Sequence, residues 1–471
     1  MKVIWAIARA LLLEIWRMRA LMIFVGLVVS VYTLGFGAWV YVSEDRMDNK
    51  VQTFLSYSLS IMSVLGTFLV IFLSALTICR DIKRKEIFTI STKPVSRHCY
   101  LLGKLAGMAV FYLIFVAVNG ILIYGIANHA RNVEVSADEA KVLKHIVFAA
   151  RESAKPDLGS EEELKDFVKD DVEAKIKAQI AESPERYQQN PNLENLLRGK
   201  MMAEAVQHER NKRSTVGPGG SKIWYFKGVN SIDRENDLLY VRFKQEVSLV
   251  PSDERLSNIW YYGARDLATS GYDGRYNNDG RRETIRAVHE FPVEAKMASE
   301  EGDFYISYVN DPRANEGASV AFQADRADKA GLEVLYVVGS FEQNFIRTLL
   351  LIFMRGFFLS ILGIALGAWL SFPVAVLALL MVYLLGVSSE FINSAMKWEG
   401  GDFQTKVSKV IMNIFPHLAA YDPVPMIEKG LLVQGTMIGE CAFYMLLIKG
   451  GVVALLGYVV FRLRELARVI V

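Results

Sequence analysis

The sequence predicts an α-helical polytopic membrane protein. It would have six transmembrane helices, cytoplasmic N and C termini, and an inserted extracytoplasmic α+β domain containing a β-sandwich. Three observations carry this expectation. About six apolar runs are long enough to cross the hydrocarbon core, which takes roughly 20 residues each. Basic residues gather in the N-terminal segment, one short loop and the C-terminal tail, which marks the cytoplasmic face. The third and fourth runs are separated by a long, charged, polar stretch, 128–343.

The chain has 471 residues, too many for one ordinary soluble domain. Apolar residues make up 52% of it, and the mean hydropathy is +0.23, so a large share must leave water. Formal net charge is only +2, which gives no global basic field for nucleic acid. Cys79, Cys99 and Cys441 are the only cysteines, and the long polar stretch holds none. It is therefore not a disulfide-stapled scaffold, and no spacing resembles a metal site.

Residues 1–19 mix Lys2, Arg9, Arg17 and Arg19 with apolar positions, place Glu14 among them, and carry Trp5 and Trp16. This pattern fits an amphipathic helix on the inner leaflet rather than a cleavable signal. The first span is Leu21–Val42, followed by an acidic turn from Glu44 to Lys50; the second is roughly Thr53–Cys79. A short loop follows, with Arg80, Lys83, Arg84, Lys85, Lys93, Arg97 and Lys104 in or beside it. Anchoring to anionic lipid is one reading of such a loop, and docking of a cytoplasmic partner is the other. The third span is Tyr100–Ala127.

A later apolar block, about Ile346 to Ile392, is too long for one span. Pro373 divides it and is suited to the first turn of a helix, so it opens the fifth span. An outer segment, 395–440, leads to the sixth span, Cys441–Phe461, and a basic tail runs to Arg468. An even number of spans puts all three basic regions on one side and the domain at 128–343 on the other.

That domain divides at Val216-Gly-Pro-Gly-Gly220. Its first part, 128–220, reads as helical. Ser136 with Glu139 and Ser160 with Glu163 have capping-box spacing. Leu164, Phe167, Val168, Val172, Ile176 and Ile180 share one helical face, which must pack on the β part or on a second subunit. The second part, 221–343, shows about seven short strand candidates between Gly- and Asp-rich turns, as a sandwich would. Leu239, Val241 and Phe243 alternate there with Tyr240, Arg242 and Lys244.

Enzymatic motifs are absent: there is no Walker A loop, no His-Glu-x-x-His and no Gly-x-Ser-x-Gly. The Asp273–Gly280 turn has oxygen ligands without calcium-loop spacing. Trp260, Tyr262 and Tyr276 form either an outer aromatic platform for sugar or lipid or part of a sandwich core, and core packing is favoured. Lys449 and Arg355 fall inside apolar runs, with Glu390 as a candidate partner. Such charges are functional candidates by default, the alternative being a snorkelling side chain at a span's end. Gly363-x-x-x-Gly367 signals close helix packing, in the bundle or at a homodimer seam.

Glu86-Ile-Phe-Thr-Ile-Ser-Thr-Lys-Pro-Val-Ser-Arg97 with Leu101-Leu-Gly-Lys104 resembles the first cytoplasmic loop of type-2 ABC exporter permeases. Glu14–Arg19, Phe415–Leu418 with Tyr421-Asp422, and Phe461–Glu465 resemble three further segments of that family. The resemblance covers the membrane part, about half the chain. It implies a homodimeric permease in the inner membrane of a bacterium, with the large domain on the periplasmic side. A separate ATPase subunit would carry ATP and Mg, with no cofactor in this chain. Arg84, Glu86, Thr89, Lys93, Pro94 and Arg97, within the loop 80–99, would dock on it. The insertion departs from relatives that connect the third and fourth spans briefly. It leaves open a cargo, a cell-envelope partner, or mechanical transmission without transport.

Overall fold

The computed structural model describes residues 2–18, 26, 47–84, 96–133, 135–182, 184, 191–264, 274–277, 282–322, 331–389, 391–392 and 415–463. The first predicted span, apart from Gly26, and loop residues 85–95 lie outside the described residues. The helices are α1 (Lys2–Trp16), α2 (Met47–Lys83), α3 (Arg97–Arg131), α4 (Ala137–Val142), α5 (Glu161–Glu182), α6 (Pro191–Arg213), α7 (Phe341–Trp369), α8 (Phe372–Val387), α9 (Val424–Glu428) and α10 (Gly435–Leu463). Two compact units result, one of Met1–Ala150 with Gly339–Val471, the other of Arg151–Val338.

The first unit is helical. Its α2, α3, α7 and α10 are long and apolar enough to cross a membrane. The fifth predicted span opens with α8, and helical residues recur beyond it at Ser389 and Phe391–Ile392. Pro373 stands in the first turn of α8, as its fixed φ favours. The helix has 16 residues, or about 24 Å, against about 30 Å of hydrocarbon. The unit also reaches further along the chain than the 127/128 boundary. Leu143, Val147 and Phe148 pack into the same apolar core as Leu55, Met62, Val116 and Phe345.

Glycines set how closely these helices approach. A Cβ on Gly66 of α2 or Gly356 of α7 would run into the aromatic side chains of α3, Phe115 and Tyr112 at the first and Tyr112 at the second. Gly363 and Gly367 face Ser74, Ala75 and Ile78 of α2, so this small-residue pair packs within the chain. Gly103 and Gly107 of α3 receive Ile7, Ala8 and Leu11 of α1.

The second unit is rich in strands. Its strands are β1 (Ala149–Ala154), β2 (Thr215–Val216), β3 (Ser221–Phe226), β4 (Leu238–Lys244), β5 (Glu246–Val247), β6 (Arg255–Leu256), β7 (Ile259–Gly263), β8 (Gly274–Asn277), β9 (Glu283–Thr284), β10 (Val288–Glu294), β11 (Phe304–Val309), β12 (Val320–Ala321) and β13 (Leu332–Ser340). Two sheets have four strands each, in the orders β1-β13-β4-β10 and β3-β11-β7-β8. Leu239, Val241, Phe243 and Phe291 of the first share one apolar core with Trp224, Trp260, Phe304 and Ile306 of the second. β1 lies in a stretch predicted as helical, and β9 and β10 divide the single strand predicted over Thr284–Phe291.

The reverse face of the first sheet buries Arg151, Arg242 and Glu333, while on β10 Val288, Glu290 and Pro292 are exposed. Arg242 stands opposite Glu290 on one side and Glu333 on the other. Its Nε donates to Glu333 at 2.6 Å, and Arg151 donates to Glu290 at 3.2 Å. Paired charges of this kind can leave water because each has its counter-ion.

The charged helical part is a two-helix hairpin. Ser160 and Glu163 form the reciprocal capping box: the Glu163 N–H donates to Ser160 Oγ at 3.2 Å, and the Ser160 N–H to Glu163 at 2.9 Å. The apolar face of α5 has a partner that the sequence did not suggest. Leu164, Val168, Val172 and Ile176 pack against Val206 and its neighbours on α6, the next helix in the chain. Phe167 of that face stays exposed, beneath the Arg213 guanidinium at 5.4 Å.

The glycine contacts predict an asymmetry. Gly356→Ala should cost about 1–3 kcal/mol by overpacking against Tyr112. Gly125→Ala, with open space around it, should be neutral or stabilise the helix by up to about 1 kcal/mol. Thermal unfolding of the two variants in detergent checks this; equal effects would contradict the packing account.

Candidate functional site

The basic loop is flanked by the end of α2 and the start of α3, and these two ends are tied by charge. Asp81, one turn from the end of α2, meets the negative pole of its own helix and needs a cation. Lys104 supplies it from α3, with Nζ 2.7 Å from Oδ2. Both side chains are buried, at 4% and 7% exposure. The Tyr100 hydroxyl donates to the same carboxylate oxygen, and the Lys104 ammonium sits 5.7 Å from the Tyr100 ring centroid.

Glu14 brings α1 into the cluster. Its carboxylate pairs with Arg80 and lies 3.9 Å from Lys104. The exposed Trp5 and Trp16 and the buried Ala8, Leu11 and Ile15 show the two faces of this amphipathic helix. Two other helices end here. Arg97 donates to the Arg462 carbonyl of α10 at 2.6 Å, and Tyr100 stacks on Phe461 with centroids 5.8 Å apart. Cys79 Sγ lies 3.5 Å from the Gly367 and Leu370 carbonyls at the end of α7.

Of the predicted loop contacts, Arg97 is therefore placed at the start of α3. The Arg84 amide donates to the Arg80 carbonyl at 2.8 Å, extending the last turn of α2. Glu86, Thr89, Lys93 and Pro94 lie outside the described residues, as does Glu390. Asp81 and Lys104 were missing from the docking set. A carboxylate beside the basic run, 23 positions before a lysine within an apolar run, was their only trace in the sequence.

The other predicted intramembrane charges lie towards the opposite end. Arg355 is 7% exposed and does not snorkel. Its Nη1 donates to Asp422 at 2.9 Å, so its described partner comes from the segment before α9 rather than from Glu390. Asn344 fixes the stretch between α9 and α10 by accepting from the Val433 N–H at 2.7 Å and donating to the Leu431 carbonyl at 2.8 Å. Lys449 donates to the Phe415 carbonyl at 2.6 Å and borders a cleft of about 330 Å³ with His417, Tyr421, Glu440 and Tyr444. Burial, and then the charge of Lys449, hold His417 below the usual histidine range, so it is neutral at pH 7.

The three aromatic residues of the strand-rich unit follow the favoured core reading. Trp260 is fully buried, Tyr262 packs beside Phe291 and Phe304, and Tyr276 stacks on Phe291 at 4.1 Å. Trp260 lies in the core, and Tyr262 and Tyr276 are partly buried against it. Among the described residues no group of His, Cys, Asp and Glu could hold a metal ion. The chain matches no family model, no curated protein and no solved structure.

The charge cluster predicts non-additivity. Asp81→Ala leaves Lys104 buried without its closest counter-ion and should cost about 3 kcal/mol. Asp81→Leu with Lys104→Met removes both charges and should cost clearly less. Unfolding of the single and double variants in detergent measures the coupling; additive losses would contradict it.

Proposed function

We propose that this chain is the membrane-spanning subunit of an ATP-driven exporter of the ABC type-2 class. It acts as a homodimer and receives force from a separate ATPase through the loop 80–99. ATP and Mg belong to that partner. The observation that carries this reading is the charge cluster at the mouth of the loop. Through Asp81, Lys104, Glu14 and Arg80 it ties α1, α2 and α3 together where the loop begins and ends. A partner that moves this loop would therefore move helices of 37 and 35 residues as levers.

The helix directions support a six-span reading. The ends of α2, α7 and α10 meet the start of α3, so these three helices run one way and α3 the other. In this reading Leu21–Val42 and α8 supply the remaining crossings. Both termini then lie with the loop in the cytoplasm, and the strand-rich unit, a β-sandwich, lies in the periplasm of a bacterial inner membrane. The lipid bilayer surrounds the apolar outer faces. The cargo or envelope partner of the periplasmic unit is set by chemistry that the loop does not encode.

A second reading is favoured by the density of the helical core. Leu55, Met62, Tyr112 and Leu351 fill the space among α2, α3 and α7, each at most 1% exposed. A subunit packed in this way could pass force from the ATPase to an envelope partner without moving cargo.

The docking claim is tested by co-purification with P-loop ATPases encoded beside this chain. Glu86→Ala and Arg97→Ala should each weaken ATPase capture about tenfold, the loss of one charge-assisted contact. Retained capture and unchanged stimulation of ATP hydrolysis in both variants would reject docking at this loop. Nucleotide-dependent opening of a lined path would favour export over force transmission.

A further inference from the structure

The cleft beside the first half of α10 plays no part in the ATPase reading, and its architecture depends on an unusual helix. Nine positions separate Glu440 from Lys449. At 3.6 residues per turn they make two and a half turns, which puts the two side chains on opposite sides of an α-helix. From Cys441 to Gly450, however, α10 is wound as a π-helix. With bonds from i to i+5 a turn takes about 4.4 residues, so the same nine positions make about two turns. Glu440, Tyr444 and Lys449 thus fall on one side and line one cleft. π winding is rare, and its single-turn form inside α-helices is frequent at functional sites.

The cleft has opposite charges at its two ends. Lys449 carries three N–H donors and gives one to the Phe415 carbonyl. Among the described residues it has no carboxylate partner, and Glu440, which is exposed, has no ion pair. Tyr421 and Tyr444 supply rings and hydroxyls, and His417 adds a neutral imidazole beside Lys449. At a rise of about 1.5 Å per residue the two charged residues are at most about 13 Å apart along the axis. The lysine side chain leans toward the N-terminus of its helix and shortens that span. A ligand that satisfies both ends is a small zwitterion, with its anion at Lys449 and an N–H donor at Glu440.

Beyond the cleft, α10 offers apolar side chains rather than water-facing ones. Phe443, Leu447, Val452, Leu455 and Leu456 are exposed, and only 17% of its apolar window is buried within the chain. A helix of that composition faces acyl chains. We propose that the cleft binds the head group of a phosphoethanolamine lipid, with phosphate on Lys449, primary amine on Glu440 and the acyl chains along the apolar face of α10. The amine must donate hydrogen bonds to Glu440, so a trimethylammonium head group fits less well. A glycerol head group leaves Glu440 without a cation.

The test uses the full chain in nanodiscs holding equal amounts of phosphatidylethanolamine, phosphatidylcholine and phosphatidylglycerol, with retained lipid read by native mass spectrometry. Wild type should retain phosphatidylethanolamine about tenfold over the other two. Glu440→Gln, at an exposed position that packs nothing, should abolish that preference, and Lys449→Gln should lower retention of all three. Tyr444→Ala should weaken retention without changing the order of preference. Equal retention of the three lipids by wild type, or an unchanged preference in Glu440→Gln, overturns the proposal. Soluble glycerophosphoethanolamine is added as a competitor. Failure to displace the lipid supports a membrane source; displacement at equal concentration points to a soluble solute and overturns the lipid assignment.

Discussion

A charge removed from water must meet its counter-ion, and one such meeting organises an entire end of the helical unit. Lys104 lies within an apolar helix, where an isolated ammonium would cost several kcal/mol. Asp81 faces the negative pole of its own helix. Neither position is tolerable alone, and together they fix the end of α2 against the start of α3. Tyr100 then takes one side of Asp81, Glu14 completes the cation side, and α1 is held in place. The remaining contacts at this end, Arg97 to Arg462 and Cys79 to the end of α7, depend on that geometry.

The same rule recurs at other buried charges among the described residues. Arg355 is served by Asp422, 67 residues later. Arg151, Arg242, Glu290 and Glu333 alternate in sign across three neighbouring strand pairs. Each partner comes from a different element, so each pair also specifies which elements are neighbours. Apolar contacts hold most of the area, but they tolerate sliding. Ion pairs with fixed hydrogen-bond geometry do not. The Asn344 bonds to Leu431 and Val433 do the same for the segment before α10.

This division explains which parts of the structure the sequence displayed. Hydropathy showed where α2, α3, α7 and α10 lie, because burial in lipid demands a long apolar run. Local rules showed the Ser160–Glu163 cap and the helix start at Pro373, because those signals span four residues or fewer. Periodicity showed that Leu164, Val168, Val172 and Ile176 share a face, but not that α6 would cover it. A period reports a direction, whereas a partner is a fact of tertiary packing. The same gap separates Arg355 from Asp422 and hides Asp81 behind a basic run. Tyr240, Arg242 and Lys244 alternate with apolar neighbours as a solvated face would. All three are buried nonetheless, and for Arg242 the adjacent strands supply matching glutamates, Glu290 and Glu333. The winding of Cys441–Gly450 left no mark that a hydropathy window reads.

The packing also limits where the helical unit can move. α1, α2, α3, α7 and α10 are joined at the Asp81–Lys104 end by ion pairs, a guanidinium–carbonyl bond, a stacked aromatic pair and the Cys79 thiol at the α7 carbonyls. Close-packed interiors shift between discrete arrangements rather than deforming continuously. These ends are therefore held as one group, and relative motion among the helices is easier away from them. α8 is the least constrained of the apolar helices at this end. It is short, begins after the break at Ser371, and its buried residues form a small cluster with Ile71 and Ala75 of α2. Towards the other end, Arg355–Asp422 is a single contact with a partly exposed carboxylate, in contrast to the multiply paired Asp81. The stretch beyond it is held as well by the Asn344 bonds to Leu431 and Val433 and the Lys449 bond to Phe415, which grip main chain rather than a counter-ion. The segment from Phe415 to Val433 bears Asp422 and one wall of the α10 cleft, so the ion pair and the cleft share one stretch of chain.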